Sequence, residues 1–205
     1  MKQFQTAQET FWAGSFGDEY TQRNQGQNLL ASNLALFTKI LASTRSVQSV
    51  MEFGANRGLN LEALKILRPE IHLHAVEINT QASEYLEGLK IAQVHNKSIL
   101  DFDVTQTYDF VLSKGVLIHL DPVALPGVYE KLYLSARKYI CVIEYYNPAP
   151  VEVSYRGFAG KLFKRDFAGE LLDCYRDLKL VDYGFVYRRD ANFAQDDVTW
   201  FLLQK

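Results

Sequence analysis

The sequence predicts an α/β fold: one domain over residues 1–205, with a mostly parallel seven-stranded sheet, helices on both faces and a C-terminal antiparallel hairpin. Three observations support this prediction. Short apolar strand patterns alternate with amphipathic helical patterns along the chain, an order typical of parallel sheets. A strand pattern at 49–53 runs into a turn punctuated by Gly54 and Gly58. Two last strand patterns, 178–187 and 198–203, are joined by a polar stretch without a helix.

The composition fits a single globular domain of ordinary polarity. The chain has 205 residues, enough for a sizeable core, and its formal net charge of −2 does not favour nucleic acid as a partner. Cys141 and Cys174 lack a metal-ligand spacing, so we expect two reduced cysteines, no metal site and a cytoplasmic location. The sequence shows no signal-peptide layout and no apolar run long enough for a membrane span. The oligomeric state is left open.

The N-terminal residues 1–26 mix polar and aromatic side chains, among them Trp12 and Tyr20. Two glycines in this stretch argue against one continuous helix. The stretch is interpreted either as a cap over the sheet edge or as a lid over a ligand. In the second interpretation Tyr20 and Arg23 lie near a cofactor carboxylate. Both interpretations stay open at this point.

Helices and strands follow in alternation after this segment. Apolar residues recur at spacings of three and four over 27–43, which predicts an amphipathic helix. A helix over 59–67 is ended by Pro69, and Asn79 and Asp121 are predicted N-caps of the next two. The last of these is placed at 122–136, and a further helix at 167–175. The remaining strands are placed at 72–77, 92–95, 110–112 and 138–143.

The turn after the first strand is the first candidate ligand site. Glu52 stands near the carboxyl end of the strand, where open α/β sheets bind their ligands. Gly58 is followed by Leu59, so the stretch lacks the Gly-Lys-Ser/Thr ending of a phosphate loop. It also lacks the third glycine of the dinucleotide fingerprint, because Asn56 stands between the two glycines. An ordinary strand–turn–helix junction is the alternative.

Glu77 ends the second strand, about twenty residues beyond this turn, where nucleoside-binding folds place a carboxylate on the ribose hydroxyls. The alternative is a residue that favours a helix start through the helix dipole.

These landmarks resemble class I S-adenosylmethionine (SAM) methyltransferases, whose first motif reads acidic-x-Gly-x-Gly-x-Gly. Residues 52–58 match it with Asn56 in place of the middle glycine, and residues 108–120 resemble the run at the fourth strand. The resemblance implies a Rossmann-like fold, SAM as cofactor, and Ser98 and Ile99 beside the adenine. The full set of implied cofactor contacts is Tyr20, Arg23, Glu52, Gly54, Asn56, Gly58, Glu77, Ile78, Ser98, Ile99 and Lys114.

Two residues are candidates for the general base that an oxygen or nitrogen acceptor requires. His119 falls on a short helical turn after the fourth strand, and Glu144 ends the fifth strand. A purely structural histidine is the alternative for His119.

The substrate side is predicted from residues 145–166. Tyr145, Tyr146 and Asn147 follow the fifth strand and are interpreted as a substrate wall. Residues 151–166 are predicted to be a long loop, and Arg156, Lys164 and Arg165 would grip an anionic acceptor. A solvated basic loop is the alternative.

Several segments together resemble one narrower family, the pseudaminic-acid-biosynthesis-associated methylases. They are residues 12–20, 114–119, 144–148, 162–170 and 197–203. The resemblance implies a bacterial enzyme that methylates N or O of a small, sugar-derived, anionic metabolite in nonulosonic acid biosynthesis. A non-catalytic SAM- or nucleoside-binding partner subunit of the same fold is the alternative. An NAD-dependent enzyme is disfavoured by the missing third glycine and the terminal hairpin.

Overall fold

The computed structural model describes residues 4–23 and 26–205. Residues 1–3, 24 and 25 of the stretch predicted as a lid or cap lie outside the described residues. The helices are α1 Ala7–Ala13, α2 Ser15–Arg23, α3 Gln27–Ala42, α4 Leu59–Leu67, α5 Thr80–Leu89, α6 Leu125–Ser135 and α7 Phe167–Cys174. Two one-turn 3₁₀ helices, Leu117–His119 and Pro122–Ala124, precede α6. The strands are β1 Ser49–Phe53, β2 His72–Glu77, β3 Ala92–Asn96, β4 Tyr108–Lys114, β5 Ala136–Glu144, β6 Val151–Glu152, β7 Phe163–Lys164, β8 Lys179–Val186 and β9 Val198–Gln204.

Seven strands form one sheet in the order β3-β2-β1-β4-β5-β9-β8. The first five are parallel, and β9 runs antiparallel between β5 and β8. Val50 of β1 pairs with Leu73 of β2 on one side and Phe110 of β4 on the other. The strand order therefore reverses between β1 and β4, and a crevice opens at the carboxyl ends of the strands at such a point. The predicted fold is confirmed.

The core lies in two layers, one on each face of the sheet. Phe37 of α3 and Leu64 of α4 pack with Phe110 on one face. Leu132 of α6 and Leu171 of α7 pack with Met51 on the other. All six side chains are completely buried, so α3, α4, α6 and α7 hold the sheet from both sides. Burial of apolar area of this kind is the main stabilising contribution to such a fold.

The N-terminal segment forms two short helices that break at Gly14, as the glycines predicted. Thr6 caps α1 and Glu9 returns the bond, a capping box that satisfies the first N–H groups of the helix. Gly17 lies inside α2, where an added Cβ would stand 1.9 Å from the carbonyl oxygen of Trp12. Only glycine allows the two helices to approach so closely.

The prediction of a long loop at 151–166 is wrong. β6 pairs antiparallel with β7, and Val153 N donates to Leu162 O at 2.9 Å. Tyr155 and Phe158 then exchange two backbone hydrogen bonds of 2.9 Å around Arg156 and Gly157, whose φ angles are 52° and 87°. Two positive φ angles at a two-residue hairpin connection are typical of a type I′ turn. We call residues 151–164 the acceptor hairpin.

The predicted helix at 122–136 is also shorter than expected. Asp121 accepts a hydrogen bond from Val123 N at 2.9 Å, as its predicted capping role requires, but it caps a 3₁₀ turn. The α-helix α6 begins only at Leu125. In the part of the chain that the structure describes, no helix is both long and apolar enough to cross a bilayer.

Candidate active site

A cavity of about 670 Å³ lies at the carboxyl ends of the parallel strands. Each parallel strand contributes wall residues from its end or from the turn that follows. They include Gly54, Asn56, Glu77, Ile78, Ser98, Ile99, Lys114, Val116 and Tyr145. Helices α1 and α2, the acceptor hairpin and the segment before β9 contribute further wall residues, including Gln8, Glu9, Trp12, Tyr20, Tyr155, Arg156 and Asp196.

The turn after β1 has the backbone of a glycine loop although its middle residue is asparagine. Gly54 has a φ of 78°, and an added Cβ would stand 2.5 Å from a methyl carbon of Val116. Asn56 has a φ of 47°. Asparagine is among the few non-glycine residues that enter this left-handed region readily. The departure from the glycine motif is therefore accommodated without a change of turn geometry.

Glu77 ties this turn to the end of β2. Its Oε2 accepts a 2.7 Å hydrogen bond from Asn56 N, and its Oε1 accepts a 2.8 Å bond from Asn79 N. Burial raises the pKa of Glu77, while these backbone N–H groups lower it. A carboxylate offers about four acceptor positions, so both oxygens can still accept from a ligand in the cavity.

A buried polar chain lies at the point where the strand order reverses. Lys114 Nζ donates to Asn33 Oδ1 at 2.6 Å and to Asn60 Oδ1 at 3.3 Å. Asn60 Nδ2 in turn donates to Glu52 Oε1 at 2.6 Å. Burial raises the pKa of Glu52 and lowers that of Lys114. Lys114, Asn33 and Asn60 line the cavity, whereas Glu52 lies behind them.

His119 presents a neutral imidazole to the cavity. Its Nδ1 lies 2.6 Å from the carbonyl oxygen of Lys161. Because a carbonyl only accepts, Nδ1 carries the proton and Nε2 keeps its lone pair. Burial lowers the pKa of His119 to about 4. The ring contacts those of Trp12 and Tyr155, with centroid distances of 4.6 and 4.8 Å.

Glu144 has a structural position instead of a catalytic one. Its Oε1 accepts 2.9 Å hydrogen bonds from Val116 N and Leu117 N and so anchors the segment that carries His119. The side chain is buried and does not line the cavity. Its assignment as a general base stays a prediction, which a buried position outside the cavity wall does not favour.

The roof of the cavity is built from α1, α2 and the acceptor hairpin. Asn79 Nδ2 donates to Asp18 Oδ1 at 2.7 Å, and Thr21 Oγ1 donates to Asn56 Oδ1 at 3.0 Å, so α2 rests on the turns after β1 and β2. Gln8 Nε2 donates to Gly160 O at 3.0 Å, which joins α1 to the hairpin. The N-terminal segment thus covers the cavity.

Several solved structures that are similar to this chain over most of its length are methyltransferases with bound SAM or S-adenosylhomocysteine (SAH). A Burkholderia thailandensis 1,6-didemethyltoxoflavin-N1-methyltransferase with bound 1,6-didemethyltoxoflavin and SAH has a TM-score of 0.71 and 14% identity, over 100% of this chain and 93% of that chain. The plantazolicin methyltransferase BpumL in complex with SAH has a TM-score of 0.66 and 13% identity, over 97% and 94%. The magnesium protoporphyrin IX methyltransferase of Synechocystis PCC 6803 with bound SAM has a TM-score of 0.64 and 11% identity, over 100% of both chains. No protein-family model and no curated protein sequence matches this chain.

The chain has the class I methyltransferase fold. Within this fold, most residues predicted for the cofactor do line the cavity: Tyr20, Gly54, Asn56, Glu77, Ile78, Ser98, Ile99 and Lys114. Burial raises the pKa of Tyr20, so its hydroxyl stays protonated. Among the other predicted residues, His119, Tyr145 and Arg156 also reach the wall.

Three predicted cofactor residues do not line the cavity of the methyltransferase fold. Arg23 Nη1 lies 3.5 Å from Glu19 Oε2 on the exposed side of α2. Gly58 caps α4, where an added Cβ would stand 2.4 Å from a methyl carbon of Leu86. Glycine is therefore required at position 58 because Leu86 packs against it. Glu52 lies behind the cavity wall and accepts a hydrogen bond from Asn60, which lines the cavity.

Four predicted substrate residues also lie elsewhere. Tyr146 is exposed and packs on Phe201 of β9, while Asn147 Nδ2 donates to Ala149 O. Neither Tyr146 nor Asn147 lines the cavity.

The two remaining basic residues of this set are held by other partners. The ammonium of Lys164 lies over the ring of Tyr145, 5.1 Å from its centroid. Arg165 Nε donates to Glu170 Oε1 at 2.8 Å. Of the three predicted basic acceptor contacts, Arg156 lines the cavity, whereas Lys164 and Arg165 do not.

Several residues that line the cavity were not predicted from the sequence, among them Asn33, Glu9 and Asp196. Asn33 interrupts the apolar stripe of α3 between Leu29 and Phe37, a signal that was available. Glu9 is the fourth residue of a capping-box pattern in the sequence. This pattern explains a glutamate at that position, so it gives no reason to expect Glu9 in the cavity wall. Asp196 lies in the irregular connection before β9, where the sequence gives no placement.

Proposed function

We propose that the chain is a SAM-dependent methyltransferase acting on N or O of a small polar acceptor. The observation that carries this proposal is the Glu77 carboxylate. It is fixed by Asn56 N and Asn79 N beside a left-handed glycine turn and faces a cavity large enough for a nucleoside and a small acceptor. A buried carboxylate at the end of β2 suits the two hydroxyls of a ribose.

The cavity wall fits the parts of SAM in order along the sheet. Glu77 would accept from the ribose hydroxyls, and Ile78 and Ile99 would pack on the adenine beside Ser98. Lys114 has given two of its three N–H groups to Asn33 and Asn60, and the third would bind the methionine carboxylate. When bound, SAM supplies an electrophilic methyl group on a sulfonium.

His119 is the residue proposed to handle the acceptor proton. Its Nε2 lone pair is available because Nδ1 is committed to Lys161 O, and a pKa of about 4 keeps the ring neutral at ordinary pH. Nε2 would accept the proton that the acceptor oxygen or nitrogen loses on methylation. The roof formed by α1, α2 and the acceptor hairpin would exclude water and hold the acceptor in line.

The acceptor is proposed to be anionic and derived from a sugar, as the resemblance to the pseudaminic-acid-associated methylases implies. Support from the cavity comes from Arg156, whose guanidinium could hold a carboxylate or phosphate bidentately. Reaction in the bacterial cytoplasm, as part of nonulosonic acid biosynthesis, belongs to the same proposal.

Calorimetric titration with SAM, SAH and NAD tests the cofactor. We expect SAM and SAH to bind and NAD not to bind. Incubation with methyl-labelled SAM and paired nonulosonic acids and neutral sugars then tests the acceptor. Label transferred to the acidic members supports the full proposal. Binding of SAM without transfer to any acceptor, including those in a fractionated cell extract, would favour the non-catalytic partner subunit.

A further inference from the structure

Helix α1 brings unpartnered, buried hydrogen-bond acceptors into the cavity. Glu9 and Gln8 line the cavity with 4% and 8% of their surface exposed. Glu9 Oε1 and Gln8 Oε1 have no hydrogen-bond partner in the described part of the chain. A buried acceptor without a donor is costly, so two such atoms on adjacent residues of the cavity wall point to a ligand that donates hydrogen bonds.

The orientation of both side chains is fixed by their other atoms. Glu9 Oε2 accepts from Gln5 N and Thr6 N, both at 2.8 Å, which leaves Oε1 to face away from the helix start. Gln8 Nε2 donates to Gly160 O at 3.0 Å, so the amide nitrogen is committed and the oxygen cannot exchange places with it. Both atoms are therefore acceptors, and they match a group that donates two hydrogens.

The start of α1 lies over the part of the cavity proposed for the base of the cofactor. Gln5 Nε2 donates to Asp101 Oδ1 at 2.6 Å, which joins this end of the helix to the turn that carries Ser98 and Ile99. Ser98 Oγ already accepts a 3.0 Å hydrogen bond from Leu100 N, which reduces what it can accept from a ligand.

We propose that Glu9, with Gln8 beside it, accepts the hydrogens of the exocyclic amine of the cofactor's adenine. The N-terminal helix then selects the base as well as covering it. This inference rests on the proposed function, since it requires an adenine nucleoside in the cavity. It assigns a specificity-determining contact to a helix that precedes the sheet in sequence.

The substitution Glu9→Gln tests the contact because it should change the preferred base. A capping box accepts Gln at this position, with the amide oxygen taking the place of Oε2. The amide nitrogen then replaces Oε1, so a donor faces the base where an acceptor stood. The probes are SAH and its inosine analogue, in which a carbonyl replaces the amine.

We expect the native protein to bind SAH at least about tenfold more tightly than the inosine analogue, and Glu9→Gln to lower that ratio by at least about tenfold. Gln8→Met should lower it as well. Thr10→Ala is the matched control, because Thr10 is exposed on the same helix and its hydroxyl donates to Thr6 O. Its ratio should equal that of the native protein.

The outcomes separate this inference from the proposed function. A native protein that binds neither ligand would contradict the proposed function itself. A native protein that binds both equally, or a folded Glu9→Gln protein with an unchanged ratio, would overturn only the assignment of Glu9. A rise in the acceptor KM with an unchanged ratio would place these atoms on the acceptor and also overturn it.

Discussion

The backbone N–H of Asn56 donates a 2.7 Å hydrogen bond to Oε2 of Glu77. This bond joins the left-handed turn after β1 to the end of β2, and Oε1 of the same carboxylate fixes Asn79 at the start of α5. The side chain of Glu77 therefore fixes the turns around the cavity and also lines it.

The substitution Glu77→Ala is expected to weaken SAH binding by at least about tenfold, because a charge-assisted hydrogen bond contributes about 1.5–3 kcal/mol. It should also lower the free energy of unfolding, since two backbone N–H groups lose their acceptor. Calorimetry and urea denaturation measure the two effects. Glu84→Ala, which removes an exposed carboxylate from α5, is the control. Unchanged SAH affinity in a folded Glu77→Ala protein would refute the ribose assignment.

Substitutions at His119 and Glu144 should separate catalysis from structure. His119→Asn can still donate to Lys161 O through its amide nitrogen but lacks the Nε2 lone pair. General base catalysis contributes about 10²–10⁴-fold, so we expect a loss of kcat of that order with unchanged SAH affinity. Glu144→Gln should retain most activity, because this side chain does not line the cavity. The reverse pattern in single-turnover rates would return the base to Glu144.

The buried carboxyl of Glu144 should make stability depend on pH. Burial raises its pKa from 4.5 to about 7, so the folded state holds a proton that the unfolded state has released. Its contribution to stability is complete below pH 4.5 and is lost as the pH rises through 7, by about 3 kcal/mol in all. Glu144→Gln keeps an oxygen for Val116 N and Leu117 N but cannot titrate. The native protein should therefore lose stability relative to Glu144→Gln between pH 4.5 and 8 in urea denaturation. Parallel pH curves for the two proteins would contradict this.

Arg156, at the tip of the acceptor hairpin, and Arg165, directly after it, offer a matched pair of arginines. Arg156→Gln should raise the KM for an anionic acceptor by about tenfold or more, with SAH affinity unchanged, because it removes a bidentate partner. Arg165→Gln should leave the acceptor KM as it is, because that guanidinium pairs with Glu170. Steady-state kinetics with acidic and neutral acceptors distinguish the two variants. Equal use of both acceptor types by the native protein would show that Arg156 has another purpose.

Ligand binding should protect the roof of the cavity from hydrogen exchange. Helices α1 and α2 are short and are attached through side-chain bonds to Asn56, Asn79 and Gly160. Segments held in this way open with low free energies, and a bound cofactor beneath them should slow the opening. We expect slower exchange over residues 7–23 with SAH, measured by mass spectrometry against the sheet as internal reference. Equal rates with and without SAH would make the segment a fixed cap.

The sequence predicted the sheet, and most residues that it proposed for the cofactor line the cavity, because both patterns are encoded locally. The periodicity of apolar residues sets the strands and helices, and the position of Glu77 after the glycine turn follows from chain order alone. The left-handed backbone at Asn56 could also have been predicted, because asparagine is one of the few residue types that adopt this conformation.

Fewer of the residues proposed for catalysis and for the acceptor line the cavity, because their positions depend on contacts between distant segments. Glu144 and Arg165 have the right charges in the right region, yet each is taken by a partner that periodicity does not reveal. Glu9 and Gln8 enter the cavity only because α1 joins the turn after β3 and the hairpin, more than 90 residues away in sequence.

At the tip of the acceptor hairpin, we expect the residue that is best for stability to differ from the residue that is best for activity. Arg156 holds a φ of 52°, a conformation that disfavours most side chains by about 1–2 kcal/mol and suits Gly or Asn. A consensus-style search for a more thermostable variant would therefore favour Asn at this position. The same change would remove the guanidinium from the cavity wall, so the more heat-resistant protein should be the poorer catalyst toward an anionic acceptor.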